Sequence, residues 1–219
     1  MVDPRPNAVR VLVVDDHDLV RASLLRVLAD QTDLRPVGAA STLGEARDLI
    51  ERTHPDIVLL DHVLPDGRGA DAVPDLIALQ PTIRVVMLTA TVSDAVLCKA
   101  VQGGAAGFVC KTHGHEAILG AVRAAVRGDA AISHALMRRL LSRAGGSSEH
   151  HAGHLSETDR ELLALLYAEI GIGGVAERLD TGFDVVHRQV ASISERLGGR
   201  STLESLLIAV RAGLIAPPS

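Results

Sequence analysis

The chain has 219 residues and a formal charge of −5, and 47% of it is hydrophobic, yet it holds only two phenylalanines, one tyrosine and no tryptophan. That length suits two ordinary domains, with cores built from Val, Leu, Ile and Ala. No apolar run approaches the roughly 20 residues that span a bilayer, and "MVDPRPNAVR" lacks a signal peptide's apolar segment. The acidic balance argues against non-specific nucleic-acid binding by the chain as a whole. These features exclude a membrane span and lead to the expectation of a cytoplasmic protein. Cys98 and Cys110 form no CxxC pair, which argues against a zinc site or disulfide framework and predicts two buried thiols.

From Arg10 onward, apolar runs alternate with helical periods. "VRVLVV", "DIVLL", "RVVMLT" and "GFVC" are short, β-branched and nearly continuous, as strands buried on both faces are, and "RPVGAA" is a weaker fifth. Between the first two strands in chain order, Val20, Leu24, Val27 and Leu28 mark one face of a helix. Strict alternation predicts an α/β fold with a five-stranded, doubly wound parallel sheet. Its last helix is expected around Glu116 to Val126. A further helical stretch, Ile132 to Leu141, leads into "SRAGGSSEHHAGH", whose Gly and Ser content predicts a flexible linker. The linker histidines, and His113 and His115, read as solvated residues rather than metal ligands. A small all-α unit follows, opening on the capping box "SETD" (Ser156, Asp159), with a second box, "STLE", at Ser201.

Reactive groups of an open parallel sheet gather beyond the carboxyl ends of its strands. Those ends carry Asp15 and Asp16, then Asp61, Thr89 and Lys111. Crowded carboxylates repel, and Mg²⁺ is the hard, oxygen-preferring cation that relieves them. With a metal and a lysine neutralising the phosphoryl oxygens, Asp61 on the central strand is the candidate nucleophile for phosphoryl acceptance.

"VLVVDDHDLVRASL", "PDIVLLDHVLPDGRG", "VVMLTA" and "GAAGFVCKT" resemble the receiver domain of bacterial two-component response regulators, a flavodoxin-like fold. The C-terminal half resembles the helix-turn-helix of the NarL/FixJ (LuxR-type) group. The resemblance implies a receiver over 8–130, a linker over 131–154 and a helix-turn-helix domain over 155–216. It further implies that Asp61 is the phosphoacceptor, that Asp15, Asp16, Asp61 and the backbone carbonyl of Val63 serve magnesium, and that Lys111 pairs with the phosphoryl group. Thr89 would then move to hydrogen-bond that group while Phe108 turns inward as the switch aromatic. A partial likeness to haloacid dehalogenase-type phosphohydrolases makes Asp16 a nucleophile and Asp18 an acid, but the Gly-Thr that usually follows that acid pair is absent.

In the LuxR-type pattern the opening, support and recognition helices fall at Glu157 to Ala168, Ile172 to Leu179 and Phe183 to Leu197, and their apolar spacing suits a three-helix core. The surface departs from the family. Gly173 and Gly174 each cost a helix roughly 1 kcal/mol against alanine, which predicts a short or frayed support helix. His187 and Gln189 replace the usual Lys and His, Ala191 cannot hydrogen-bond a base, and Asp180 stands where glycine is usual. From Leu155 onward there are six arginines, no lysine and nine acids, where a DNA footprint should be positive. Arg188 suits a guanine and Gln189 an adenine.

The final helix carries Leu203, Leu206, Leu207 and Val210 on one face, like the family's dimerisation helix. The reading is a non-enzymatic, phosphorylation-dependent transcription regulator, served by a sensor histidine kinase, bound to double-stranded DNA and homodimeric when active. The alternative is a receiver-switched protein-interaction or dimer-partner module whose degenerate helix-turn-helix reads DNA poorly.

Overall fold

The computed structural model describes residues 8–90, 93–142, 155–169 and 171–215. Five strands, β1 (Val9–Val14), β2 (Leu34–Ala40), β3 (Ile57–Asp61), β6 (Arg84–Thr89) and β7 (Gly107–Cys110), form one parallel sheet in the order β2-β1-β3-β6-β7. They are the five apolar runs of the sequence. A short antiparallel hairpin, β4 (Val63–Leu64) with β5 (Gly67–Arg68), follows β3. Asp66 in its turn ties it down, accepting backbone hydrogen bonds from Leu43 and Gly44, both at 2.9 Å.

Alternate residues of each strand face opposite sides, as the pleat requires. Val11, Val13, Ile57, Leu59, Val86 and Leu88 pack with α1 (Asp18–Ala29) and α5 (Gly114–Arg127). Leu12, Val14, Val58, Leu60, Val85 and Met87 face α2 (Leu43–Thr53), α3 (Gly69–Leu79) and α4 (Asp94–Gln102). The expected α1 stripe is present, with Leu24 and Leu28 buried and Val20 and Val27 beside them. Cys98 and Cys110 are half-buried, against the expectation of buried thiols: Cys98 packs at the edge of the core from mid-α4, and Cys110 ends β7.

The stretch after α5 holds the helix expected over Ile132 to Leu141, starting two residues later. It first returns along the free edge of β7, where Phe108 N–H donates to the Ala131 carbonyl at 2.7 Å and Ala131 N–H to Ala106 at 3.1 Å. Only then does α6 (His134–Ser142) begin. Ala131 thereby covers part of an otherwise exposed strand edge just before the helix starts. Residues 143–154, the expected flexible segment with its histidines, lie outside the described residues.

Four helices complete the chain: α7 (Glu157–Glu169), α8 (Ile172–Arg178), α9 (Phe183–Leu197) and α10 (Thr202–Arg211). Ser156 and Asp159 form the expected reciprocal cap of α7, and Ser201 caps α10. In the α8–α9 turn, Asp180 takes a left-handed conformation, φ 48°, which aspartate tolerates better than most residues. Val175, Val186, Val190, Ile193 and Leu197 are buried, and α10 packs against α4 and α6, so one apolar core runs from the sheet into the C-terminal helices.

Candidate functional site

β1, β3, β6 and β7 end on the same pole of the sheet and deliver Asp15, Asp61, Thr89 and Lys111 there. Asp15 is fully buried, Asp61 is 5% exposed and Thr89 is buried beside them. Lys111 opens the one-turn helix after β7, and its Nζ lies 2.5 Å from Asp15 Oδ2 and 3.0 Å from Asp61 Oδ2. The His62 N–H donates to Asp61 Oδ1 at 2.8 Å. Burial raises the Asp61 carboxyl above the ordinary aspartate range, with Lys111 opposing it. Burial alone would lower the Lys111 ammonium, but its hydrogen bonds to Asp15 and Asp61 outweigh that and lift it.

The carboxylates of Asp15, Asp16 and Asp61 and the His17 ring each offer a ligand atom, all within 4.8 Å of one another. Such a mainly oxygen donor set fits a hard divalent cation. His17 was not anticipated from the sequence: its Nδ1 lies 2.6 Å from Asp16 and 3.2 Å from Asp15. The "DDHD" run was the only available signal, and local sequence does not show which way such a ring turns. Val63 follows in β4 with its side chain exposed, and Phe108 is buried in β7. Asp18, the acid of the hydrolase reading, points outward at 89% exposure and pairs with Arg21, so it cannot serve a nucleophile at Asp16.

At the opposite pole, the C-terminal helices dock on the amino-terminal ends of β6 and β7. Ser201 Oγ donates to the Ala105 carbonyl at 3.0 Å, Thr202 Oγ1 to Gly128 at 2.6 Å, and Arg200 Nη1 to Gly103 at 3.4 Å. Two glycines make this approach possible. Gly104 (φ 99°) and Gly128 (φ 81°) are left-handed, and an added Cβ would come within 3.0 Å of Arg200 at the first and 3.1 Å of His187 at the second.

The cleft of about 400 Å³ beside this seam is lined by His187, Ala191 and Ser194 of α9, facing Arg84, Gly128 and Asp129. Of the four predicted DNA-reading positions, His187 turns toward Gly128 of the sheet domain, and Ala191 lies exposed at the rim of the cleft. The other two, Arg188 and Gln189, are exposed in a solvent groove with Ser192 and Arg196. Arg196, the second cation of the recognition helix, is engaged by both carboxylate oxygens of Asp159 at 2.9 Å each. Leu203, Leu206 and Leu207 of α10 are at most 1% exposed and Val210 packs beside them, so the candidate dimerisation face is covered within the chain.

Residues 11–123 match the response regulator receiver domain family. The chain is 33% identical over 209 residues to response regulator GacA of Pseudomonas aeruginosa, covering 94% of this chain and 98% of that one. It belongs to the response regulators of the NarL/LuxR type. This regulator is also 28% identical to the DNA-binding transcriptional activator DevR/DosR of Mycobacterium tuberculosis over 212 residues, 96% of this chain and 98% of that protein. Among solved structures it resembles a LuxR-family two-component response regulator from Aurantimonas sp. SI85-9A1, with TM-score 0.58 and 29% identity, covering 62% of this chain and 97% of the other. The response-regulator reading therefore holds over the hydrolase alternative. No helix among the described residues is long and apolar enough to cross a membrane.

Proposed function

We propose that this regulator is a cytoplasmic, phosphorylation-switched DNA-binding protein, with a receiver over 8–130 and a helix-turn-helix domain over 155–216. The observation that carries the reading is Lys111, held between the Asp15 and Asp61 carboxylates at the strand ends. There the buried Asp61 carboxylate attacks the phosphorus of a sensor histidine kinase's phosphohistidine or of a small acyl phosphate. The new P–O bond forms as the bond to the donor breaks, and the leaving group departs with the electron pair. The Lys111 ammonium then pairs with a phosphoryl oxygen, Thr89 hydrogen-bonds another, and Phe108 repacks in β7. Asp15, Asp16, Asp61 and the Val63 carbonyl would hold a magnesium ion, which neutralises charge on the phosphoryl oxygens when bound. The chain turns over no metabolite in this reading.

The output is reading of double-stranded DNA by His187, Arg188 and Gln189, with Ala191 packing in the groove. DevR/DosR is named a DNA-binding transcriptional activator, which supports the assignment. Because His187 is turned toward Gly128 in the cleft, DNA reading through it requires the C-terminal helices to leave the sheet. The same release frees Leu203, Leu206, Leu207 and Val210 for a homodimer reading two half-sites. Taking a 1:99 equilibrium to 99:1 requires phosphorylation to favour the released state by about 5.5 kcal/mol.

Treatment with a small phosphodonor and Mg²⁺, followed by intact mass, tests the first step: the wild type gains one phosphoryl group and Asp61→Asn gains none. Uptake by the Asn variant would overturn the assignment. The engagement of Arg196 by Asp159 favours a second reading, in which the unit binds a protein partner instead of DNA. The two part at Arg188→Ala, which costs a DNA reader affinity and relaxes specificity at one base position but leaves a partner-binding module intact.

A further inference from the structure

α8 is seven residues long with Gly173 and Gly174 inside it, and its N-cap residue, Gly171, has no side chain to satisfy the free N–H groups of the first turn. α7 and α10 carry their own serine caps. The missing acceptor comes from the other domain. Asp129, just beyond α5, is 5% exposed, and its Oδ1 accepts the Ile172 N–H at 2.6 Å. Its other oxygen is fixed by Arg127 Nε at 2.9 Å. Around it, Thr202 bonds the Gly128 carbonyl, and the Asp129 carboxylate lies against Gly171.

We propose that the receiver completes the helix-turn-helix: Asp129 supplies the capping acceptor that the N-cap residue Gly171 of α8 lacks, from 43 residues before Ile172. Docking orders the support helix, and undocking leaves a glycine-containing helix without a start. The two domains are then coupled through the order of one short helix as well as through surface contact. The inference concerns the order of α8 rather than what the helix-turn-helix touches.

Hydrogen exchange on the full-length protein, without phosphodonor, tests it in the wild type, Asp129→Ala, and Asp129→Ala combined with Gly171→Ser. The serine gives α8 its own cap, and the Gly171 backbone is extended (φ 174°), a conformation open to serine. The expected result is exchange roughly fivefold faster, within a range of about 2- to 30-fold, over 172–176 in Asp129→Ala, with the α9 core and the sheet unchanged. The added serine should restore protection. Unchanged exchange in Asp129→Ala overturns the proposal. So does a uniform loss across α7 to α10 that Gly171→Ser leaves uncorrected, because that pattern makes Asp129 a docking contact and not a cap.

Discussion

Asp159 serves two elements: it closes the capping box of α7 with Ser156, and its carboxylate takes the Arg196 guanidinium of α9. The Arg196 hydrogen bonds hold this carboxyl well below the ordinary aspartate range. A depressed folded-state value adds stability that is complete above the unfolded pKa and is lost as pH falls through the folded one. Arg196→Ala should therefore shift acid unfolding of the C-terminal helices to higher pH, followed by circular dichroism. At neutral pH it should cost about 0.2–1 kcal/mol, the scale of a partly exposed pair. Asp61, Thr89 and Lys111 were legible because each ends an apolar run whose boundary is plain in sequence. Asp129 was not legible, since its partner is a backbone N–H 43 residues further along the chain.

At the scale of elements, α8 is short, at seven residues, as its two glycines predict. It is nonetheless formed, with Ile172 and Val175 buried and the Asp129 carboxylate on the Ile172 N–H at its start. Part of the glycine cost is recoverable. A Cβ at Gly173 would meet nothing within 4 Å, so Gly173→Ala should stabilise the helix by about 1 kcal/mol. Thermal unfolding should show a midpoint raised by a few degrees; a lowered midpoint would mean that this backbone is not ordinary helix. The strands were readable from their short, β-branched, nearly continuous apolar runs. The pairing of Ala131 with the edge of β7 was not, because periodicity cannot show that partner. The apolar face of α10 was readable as a face, but not what covers it.

Across the whole molecule, Asp61 and the docking seam lie at opposite poles of the sheet, separated by strands of five or six residues, roughly 17–20 Å. α4, nine residues and about 13 Å long, runs along part of that distance. Arg139 of α6 grips Asp94 at its start, 2.6 Å away, and Arg200 reaches the Gly103 carbonyl just past its end. β6 makes the same link, with Thr89 at the phosphoacceptor pole and Arg84 in the cleft. α4 and β6 thus both connect the acidic pocket's pole with the seam where His187 meets Gly128. The measurement that bears most directly on this account is selection of bound fragments from the source genome by purified protein, with and without a phosphodonor, at stated salt, and with Asp61→Asn as control. The account predicts enrichment of a repeated half-site that requires both the phosphodonor and Asp61. No enrichment, from protein that carries the phosphoryl group by intact mass, would contradict DNA reading and leave the helix-turn-helix as a partner-binding surface.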